Sequence, residues 1–229
     1  MSEELGKIRK PAVENSALKR KVYLVQNIQN YFPENNDFKV LLEEYWVSIS
    51  EQLDNLEKTA GLISNIYVEG MWQEFEEASK AISETNPYCI NMIEERVKSG
   101  SKYTPVEDET IYKKLIDWTR IAQLGFISEE VKKIVEENYA SIAQSREEDI
   151  SNKINTLNKS EAALFIISSG GHRFADDIEM FNVIPPTLDK MNRWIQENQE
   201  SLAPQNDAQN KAQEIDNEDS SKKSDLWTS

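Results

Sequence analysis

The sequence is poor in the residues that build the commonest active sites. It contains one His, one Cys and seven Gly among its 229 residues. Nucleophile–base pairs, zinc sites and phosphate-binding loops depend on clustered His and Cys or on Gly-rich turns. The sequence therefore predicts a non-enzymatic protein with no catalytic residue, no metal and no cofactor.

Long apolar runs are scarce as well. No stretch approaches the roughly 20 apolar residues that a membrane helix requires, and the first ten residues lack the apolar core of an export signal. The lone Cys89 has no second Cys for an intramolecular disulfide, which agrees with a reducing compartment. These features predict a cytoplasmic protein without membrane insertion.

Negative charge exceeds positive charge over the chain as a whole. With 41 acidic and 26 basic residues the formal charge is −15, which disfavours direct binding to nucleic acid and favours protein partners with a basic surface. The acidic clusters are interpreted as solvated helix faces. They are Glu74, Glu76 and Glu77, then Glu107, Asp108 and Glu109, then Glu136 and Glu137, and finally Glu147, Glu148 and Asp149.

Apolar residues recur at spacings of three and four, which predicts an all-α fold. One helix is expected over 16–32, and a second begins at Asp37 with Phe38, Leu42, Tyr45, Ile49 and Leu56 on one face. The most apolar run, 162–167, is interpreted as a helix capped by Ser160; the alternative is a buried strand leading into a Gly loop. Together the segments predict an irregular bundle or short array of about seven to nine helices.

Residues that favour helix starts and helix ends separate the predicted helices. Pro87 suits a first helical position, Gly100 and Gly125 suit helix ends, and Ser128 suits an N-cap. The sequence 104–107 reads as a capping box, and a last helix begins near Thr187. Residues 37–84 leave two arrangements open, a hairpin that turns at Gly61 or one long helix through Gly61 and Gly70.

The predicted domain organisation has three parts. Residues 1–15 form a flexible arm, 16–200 a single helical domain, and 201–229 a disordered acidic and polar tail. Leu226 and Trp227 stand in that tail as a candidate docking element, with an inert tail as the alternative. Trp46 and Trp72 lie beside the main apolar faces of their helices and are candidate interaction residues, with internal packing as the alternative.

One segment has the composition of a ligand site. It gathers the Gly pair, the single His, a guanidinium and two carboxylates, and its members are Gly170, Gly171, His172, Arg173, Asp176 and Asp177. On a helix, His172 and Asp176 would share a face, while the Gly amides and Arg173 could hold an anion. The simpler interpretation is a turn between two helices with His172 on the surface.

The leading functional hypothesis is an adaptor or regulatory protein that acts through helical surfaces and its tail, with homo-oligomerisation left open. The first alternative is an acidic mimic of nucleic acid that inhibits a basic protein. The second is an enzyme or ligand-binding protein with a site at 168–177.

Overall fold

The computed structural model describes residues 19–168 and 170–202, with side chains as far as 198. Strands and helices alternate along this part of the chain. In order they are β1 (Arg20–Gln26), α1 (Asn36–Thr59), β2 (Ile63–Val68), α2 (Phe75–Thr85), α3 (Pro87–Lys98), β3 (Lys102–Tyr103), α4 (Glu109–Ala122), α5 (Glu129–Ile154), β4 (Ala162–Ile167), β5 (Ile178–Val183) and α6 (Pro186–Leu202).

The five strands form one parallel sheet in the order β3-β2-β4-β1-β5. The chain moves from β1 to β2 and β3 at one edge, and then returns to β4 and β5. Right-handed crossovers place α1 to α3 on one face of the sheet and α5 on the other. The connection from β4 to β5 contains no helix, and its Phe174 packs on the α5 face beside Phe165.

The prediction of an all-α helical bundle is wrong, because the structure is an α/β fold. Residues 20–26 and 162–167 are strands β1 and β4 rather than helices. Both lie inside a parallel sheet that is covered on its two faces, so their apolar residues are nearly continuous and do not alternate. The rejected strand interpretation of 162–167 is the correct one.

Several helix signals are confirmed. Phe38, Leu42, Tyr45 and Ile49 are buried along α1 as expected, although Asn35 rather than Asp37 caps that helix by accepting from the amide of Phe38. Pro87 begins α3, and Ser128 caps α5. Gly100 and Gly125 adopt positive φ after their helices.

Neither arrangement proposed for 37–84 is present. α1 ends at Thr59, and the chain then forms β2, so Gly61 leads from a helix into a strand. The expected capping box at 104–107 does not start a helix either, because Asp108 caps α4. Helix α5 runs unbroken from Glu129 to Ile154, through the polar stretch 144–149.

The α5 side of the sheet has its own core. Ile150 and Ile154 from the end of α5 pack with Val22, Phe165 and Tyr67 from the strands. Helix α4 contains no buried residue and packs on α5. The two helices form a hairpin, called the α4–α5 hairpin (residues 109–154), which contributes Ile150 and Ile154 to this core from its C-terminal end.

The chain divides into two compact units at Asp189. The sheet and α1 to α5 belong to the first unit, and the described part of the second is the remainder of α6. Within 19–168 and 170–202, no helix combines the length and the apolar character needed to cross a membrane. The predicted arm at 1–15 and most of the predicted tail at 201–229 lie outside the described residues.

Candidate functional site

Charged side chains converge at the carboxyl edge of the sheet. Glu69 directly follows β2, Glu107 lies in the connection after β3, and His172 lies in the connection after β4. Arg146 and Glu147 reach the same place from the middle of α5. These five residues are called the charged cluster. In parallel sheets the carboxyl edge, between connections that leave toward opposite faces, is where ligands commonly bind.

Arg146 stands between the two buried carboxylates of the charged cluster. Its Nε donates to Oε2 of Glu107 at 2.9 Å, and its Nη2 donates both to Glu107 and to Oε1 of Glu69, the latter at 2.8 Å. The side chains of Glu69 and Glu107 are each 1% exposed, against 15% for Arg146. The guanidinium fork therefore bridges two segments of the carboxyl edge.

Backbone amides hold both carboxylates in place. Gly70 donates its amide to Oε1 of Glu107 at 2.9 Å, and the amide of Ser168 donates to Oε2 of Glu69. Gly70 has φ +89, and a Cβ at this position would lie 3.2 Å from the Tyr112 hydroxyl. The positive φ therefore favours glycine at residue 70, and a Cβ there would also have to displace the Tyr112 hydroxyl.

His172 is buried between the carboxylates of Glu69 and Glu147. Its side chain is 4% exposed, and its Nδ1 lies 2.7 Å from Oε2 of Glu147. Its Nε2 lies 3.6 Å from Oε1 of Glu69 and has no hydrogen-bond partner. Because a carboxylate only accepts, the Nδ1 hydrogen points to Glu147. The imidazole also lies 5.0 Å from the Phe165 ring, which fixes it on the α5 side of the sheet.

The electrostatics of the charged cluster favour positive charge within it. Burial by itself would lower the pKa of His172, but Glu69 and Glu147 raise it above its ordinary value. Burial likewise opposes the charge on Arg146, and the bonds to Glu107 and Glu69 outweigh it and raise the pKa. Burial raises the pKa of Tyr112, with Glu107 acting in the same direction.

A cavity of about 210 Å³ opens beside the charged cluster. Glu69 and Arg146 supply its charged wall, Ser168 lines it from the end of β4, and α4 closes the opposite side. The α4 wall consists of Tyr112, Leu115, Ile116 and Thr119. The Arg146 guanidinium lies 5.6 Å from the Tyr112 ring, so an aromatic face covers the cation.

The predicted ligand segment contributes one residue to the charged cluster. Residues 173–177 are not helical, so His172 pairs with Glu147 and Glu69 instead of Asp176, and its expected surface position is wrong. Asp176 is exposed, while Asp177 pairs with Arg20. Gly170 and Gly171 are exposed, with Gly171 at φ +103. The Arg173 amide, rather than its exposed side chain, donates to Glu147 at 3.0 Å.

The aromatic interaction candidates divide into three groups. Trp46 is 2% exposed and donates its indole N–H to the carbonyl of Ile28, so it packs internally. Trp72 is half-buried, with its ring centroid 5.3 Å from that of Tyr112 and Lys113 above it. Leu226 and Trp227 lie outside the described residues.

Four members of the charged cluster were not expected to form a site. Glu107 and Glu147 belong to acidic clusters interpreted as solvated faces. This is wrong for Glu107, which is buried, whereas the Glu147 side chain is 36% exposed and also binds His172. No local sequence pattern marks Glu69 or Arg146 as a site residue. The available signal is Glu69-Gly70 immediately after an apolar run, which indicates a strand end once the fold is α/β.

No group of three or more His, Cys, Asp or Glu residues is arranged to hold a metal ion within the part of the chain that the structure describes. Fold and site together define an α/β protein with a parallel sheet and a buried charged cluster at its carboxyl edge. Comparisons of the chain with protein-family models, with curated proteins and with solved structures each found no match.

Proposed function

We propose that the protein binds a small polar ligand in the cavity beside Glu69 and Arg146 and transfers a proton there. The observation that carries the proposal is the convergence of ionisable side chains from separate segments next to a cavity at the carboxyl edge of a parallel sheet. The proposal keeps the second alternative suggested by the sequence, an enzyme or ligand-binding protein, but places its site at the charged cluster instead of the Gly pair. The adaptor and nucleic-acid-mimic hypotheses remain predictions.

The energetic cost of the charged cluster supports a functional role. Removing carboxylates and a guanidinium from water costs several kcal/mol per ion, and apolar residues of similar volume often stabilise a fold as well or better. A buried network with a shifted His pKa beside a cavity is typical of functional sites.

The charge balance favours a ligand that donates hydrogen bonds. Glu69, Glu107 and Glu147 oppose Arg146 and a protonated His172, so the charged cluster keeps one net negative charge. A primary amine or a hydroxyl would complement Glu69, while Leu115 and Ile116 would contact its apolar part. We therefore expect amines and polyols to bind in preference to carboxylates and phosphates.

Proton transfer would involve Glu69 and His172 in different roles. Glu69 lines the cavity and would receive a proton from the ligand. His172 lies behind it, and its Nε2 is 3.6 Å from the Glu69 carboxylate, so its charge would keep Glu69 ionised, and thus able to accept, before the proton is transferred. His172 is therefore a positioning residue in this proposal. The single Cys of the chain, Cys89, is buried and forms no disulfide, and we propose that the protein works in the cytoplasm.

The test of ligand binding uses a variant that fills the cavity. A thermal-shift screen against amines, polyols, carboxylates and phosphates should find compounds that raise the melting temperature of the natural protein. Thr119→Trp should abolish these shifts because residue 119 lines the cavity, whereas Ala122→Trp, one turn along α4 and exposed, should keep them. Hits that stabilise both variants equally, or no hit of the amine or polyol class, would contradict the proposal.

A further inference from the structure

The α4–α5 hairpin carries a row of exposed apolar side chains at its turn. Leu124 is 80% exposed and Ile127 is fully exposed. Their neighbours on the two helices, Ile121, Val131 and Ile134, are 36%, 48% and 50% exposed. These five residues are called the hairpin tip. Exposed apolar patches of this kind mark interaction surfaces on folded proteins.

The fold leaves the hairpin tip uncovered. Helix α5 has 26 residues, about 39 Å at 1.5 Å per residue. Its core residues Ile150 and Ile154 lie in the last turns, and Val135 is the one buried residue in its first half. That half packs on α4, which buries no residue of its own. The described part of the first unit therefore supplies no apolar surface to cover the hairpin tip.

Charge identifies a suitable partner for this surface. The whole chain carries −15, so two copies repel one another across most of their surfaces. Residues 113–137, which include the hairpin tip, contain five basic and five acidic residues and carry no net charge. Two copies can therefore approach through the hairpin tip without the repulsion that opposes other contacts between them.

We infer that the hairpin tip is a homodimer interface, with a second copy of this chain as its partner. The two hairpins would meet tip to tip across a twofold axis, so that each hairpin tip contacts the hairpin tip of the other copy. Because of the twofold axis, each apolar residue of the hairpin tip would be buried once on each copy. This inference is independent of the proposed ligand site and stands or falls on the oligomeric state alone.

Analytical ultracentrifugation of the full chain tests the inference directly. The natural protein should form a reversible dimer that tightens as salt rises, because screening reduces repulsion between the acidic bodies. Ile127→Glu and Val131→Glu should each weaken dimerisation about tenfold or more, since two buried charges enter the interface. Leu62→Glu is the matched control: Leu62 is 77% exposed and lies before β2, far along the chain from the hairpin tip.

The variants should keep the circular dichroism spectrum of the natural protein, because all three replaced side chains are exposed in the single chain. Cross-linking provides a second measurement, since the only natural thiol, Cys89, is buried. Under oxidation, Ile127→Cys should form a disulfide-linked dimer and Leu62→Cys should not. A natural protein that is monomeric at all concentrations, or a dimer that Ile127→Glu leaves intact, would overturn the inference.

Discussion

At the residue scale, Arg146 is the central cation of the charged cluster. It forms ion pairs with Glu107 and Glu69, whose side chains are each 1% exposed, and Nε2 of His172 lies 3.6 Å from Glu69. Each carboxylate also accepts a backbone amide. The arrangement is stable only as a whole, because removing one member leaves a buried charge unpaired.

We predict that Arg146→Met lowers the free energy of unfolding by about 3–5 kcal/mol, the usual cost of breaking a buried ion pair from one side. Urea denaturation would measure the change. Arg146→Lys should lose less because it keeps the charge while losing the fork that binds Glu107 twice. Combining Arg146→Met with Glu107→Gln should recover part of the loss; a double variant less stable than either single variant would contradict the ion-pair explanation.

His172 provides a second prediction at the same scale. Its folded pKa lies above the unfolded value of about 6.5, so the folded protein binds the proton more tightly. The resulting stabilisation is fully present below about pH 6.5 and is lost as the pH rises through the folded pKa. The difference in unfolding free energy between the natural protein and His172→Gln should therefore shrink from pH 6 to pH 8.

Nuclear magnetic resonance can measure the pKa of His172 without ambiguity, because it is the only His in the chain. Its imidazole resonances should titrate above about pH 6.5 in the folded state and near that value in urea. A folded pKa at or below the unfolded one would show that burial outweighs Glu69 and Glu147.

At the element scale, caps tie the helices to the ends of the strands. Asn86 is buried, accepts from the Cys89 amide at the start of α3, and donates to the carbonyl of Ile28 beyond β1. Asn35 caps α1 from a half-buried position through one bond to Phe38. The two caps therefore differ in burial and in the number of their bonds.

We predict that Asn86→Ala costs about 2–3 kcal/mol of unfolding free energy and Asn35→Ala about 1 kcal/mol. Chemical denaturation of both variants would provide the comparison. The larger loss is expected for Asn86 because its side chain also links α3 to the connection after β1. Equal losses would mean that the side-chain amide of Asn86 adds nothing beyond capping.

The burial of each helix or strand determines whether the sequence predicts it. Amphipathic helices such as α1 repeat every three or four residues, and their caps at Pro87 and Ser128 are short-range signals. β1 and β4 are buried on both faces and lose the alternation that marks a strand. Their pairing joins Val22 to Ala163, a contact that no local pattern contains.

The charged cluster could not be predicted from local sequence patterns for the same reason. Glu69, Glu107 and Arg146 are far apart in the chain, and the parallel sheet alone brings them together. Acidic residues in clusters are usually solvated, so the burial of Glu107 could not be predicted without the sheet. The single His did direct attention to residue 172, although its partners are Glu147 and Glu69 instead of Asp176.

At the scale of the whole molecule, stability is distributed unevenly. β1 and β4 lie inside the sheet with strands on both sides and fully buried residues such as Tyr23 and Phe165. The turn of the α4–α5 hairpin lacks buried side chains. Local opening requires little free energy where few apolar contacts are lost.

Hydrogen exchange followed by mass spectrometry should reveal this gradient. Peptides from β1 and β4 should exchange slowest, and peptides from 116–134 should exchange much faster at low protein concentration. If dimerisation through the hairpin tip occurs, protection of 116–134 should rise with concentration while β1 and β4 stay unchanged. Uniform protection at every concentration would contradict the gradient.

The position of β1 has a consequence for synthesis on the ribosome. Both of its neighbours, β4 and β5, are encoded near the other end of the described chain, with more than a hundred residues between them and β1. At about 5–20 residues per second, the ribosome takes on the order of ten seconds to produce them. During that interval, Val22 to Val25 have no strand to pair with. The nascent chain therefore exposes an apolar, aggregation-prone segment that chaperones would bind.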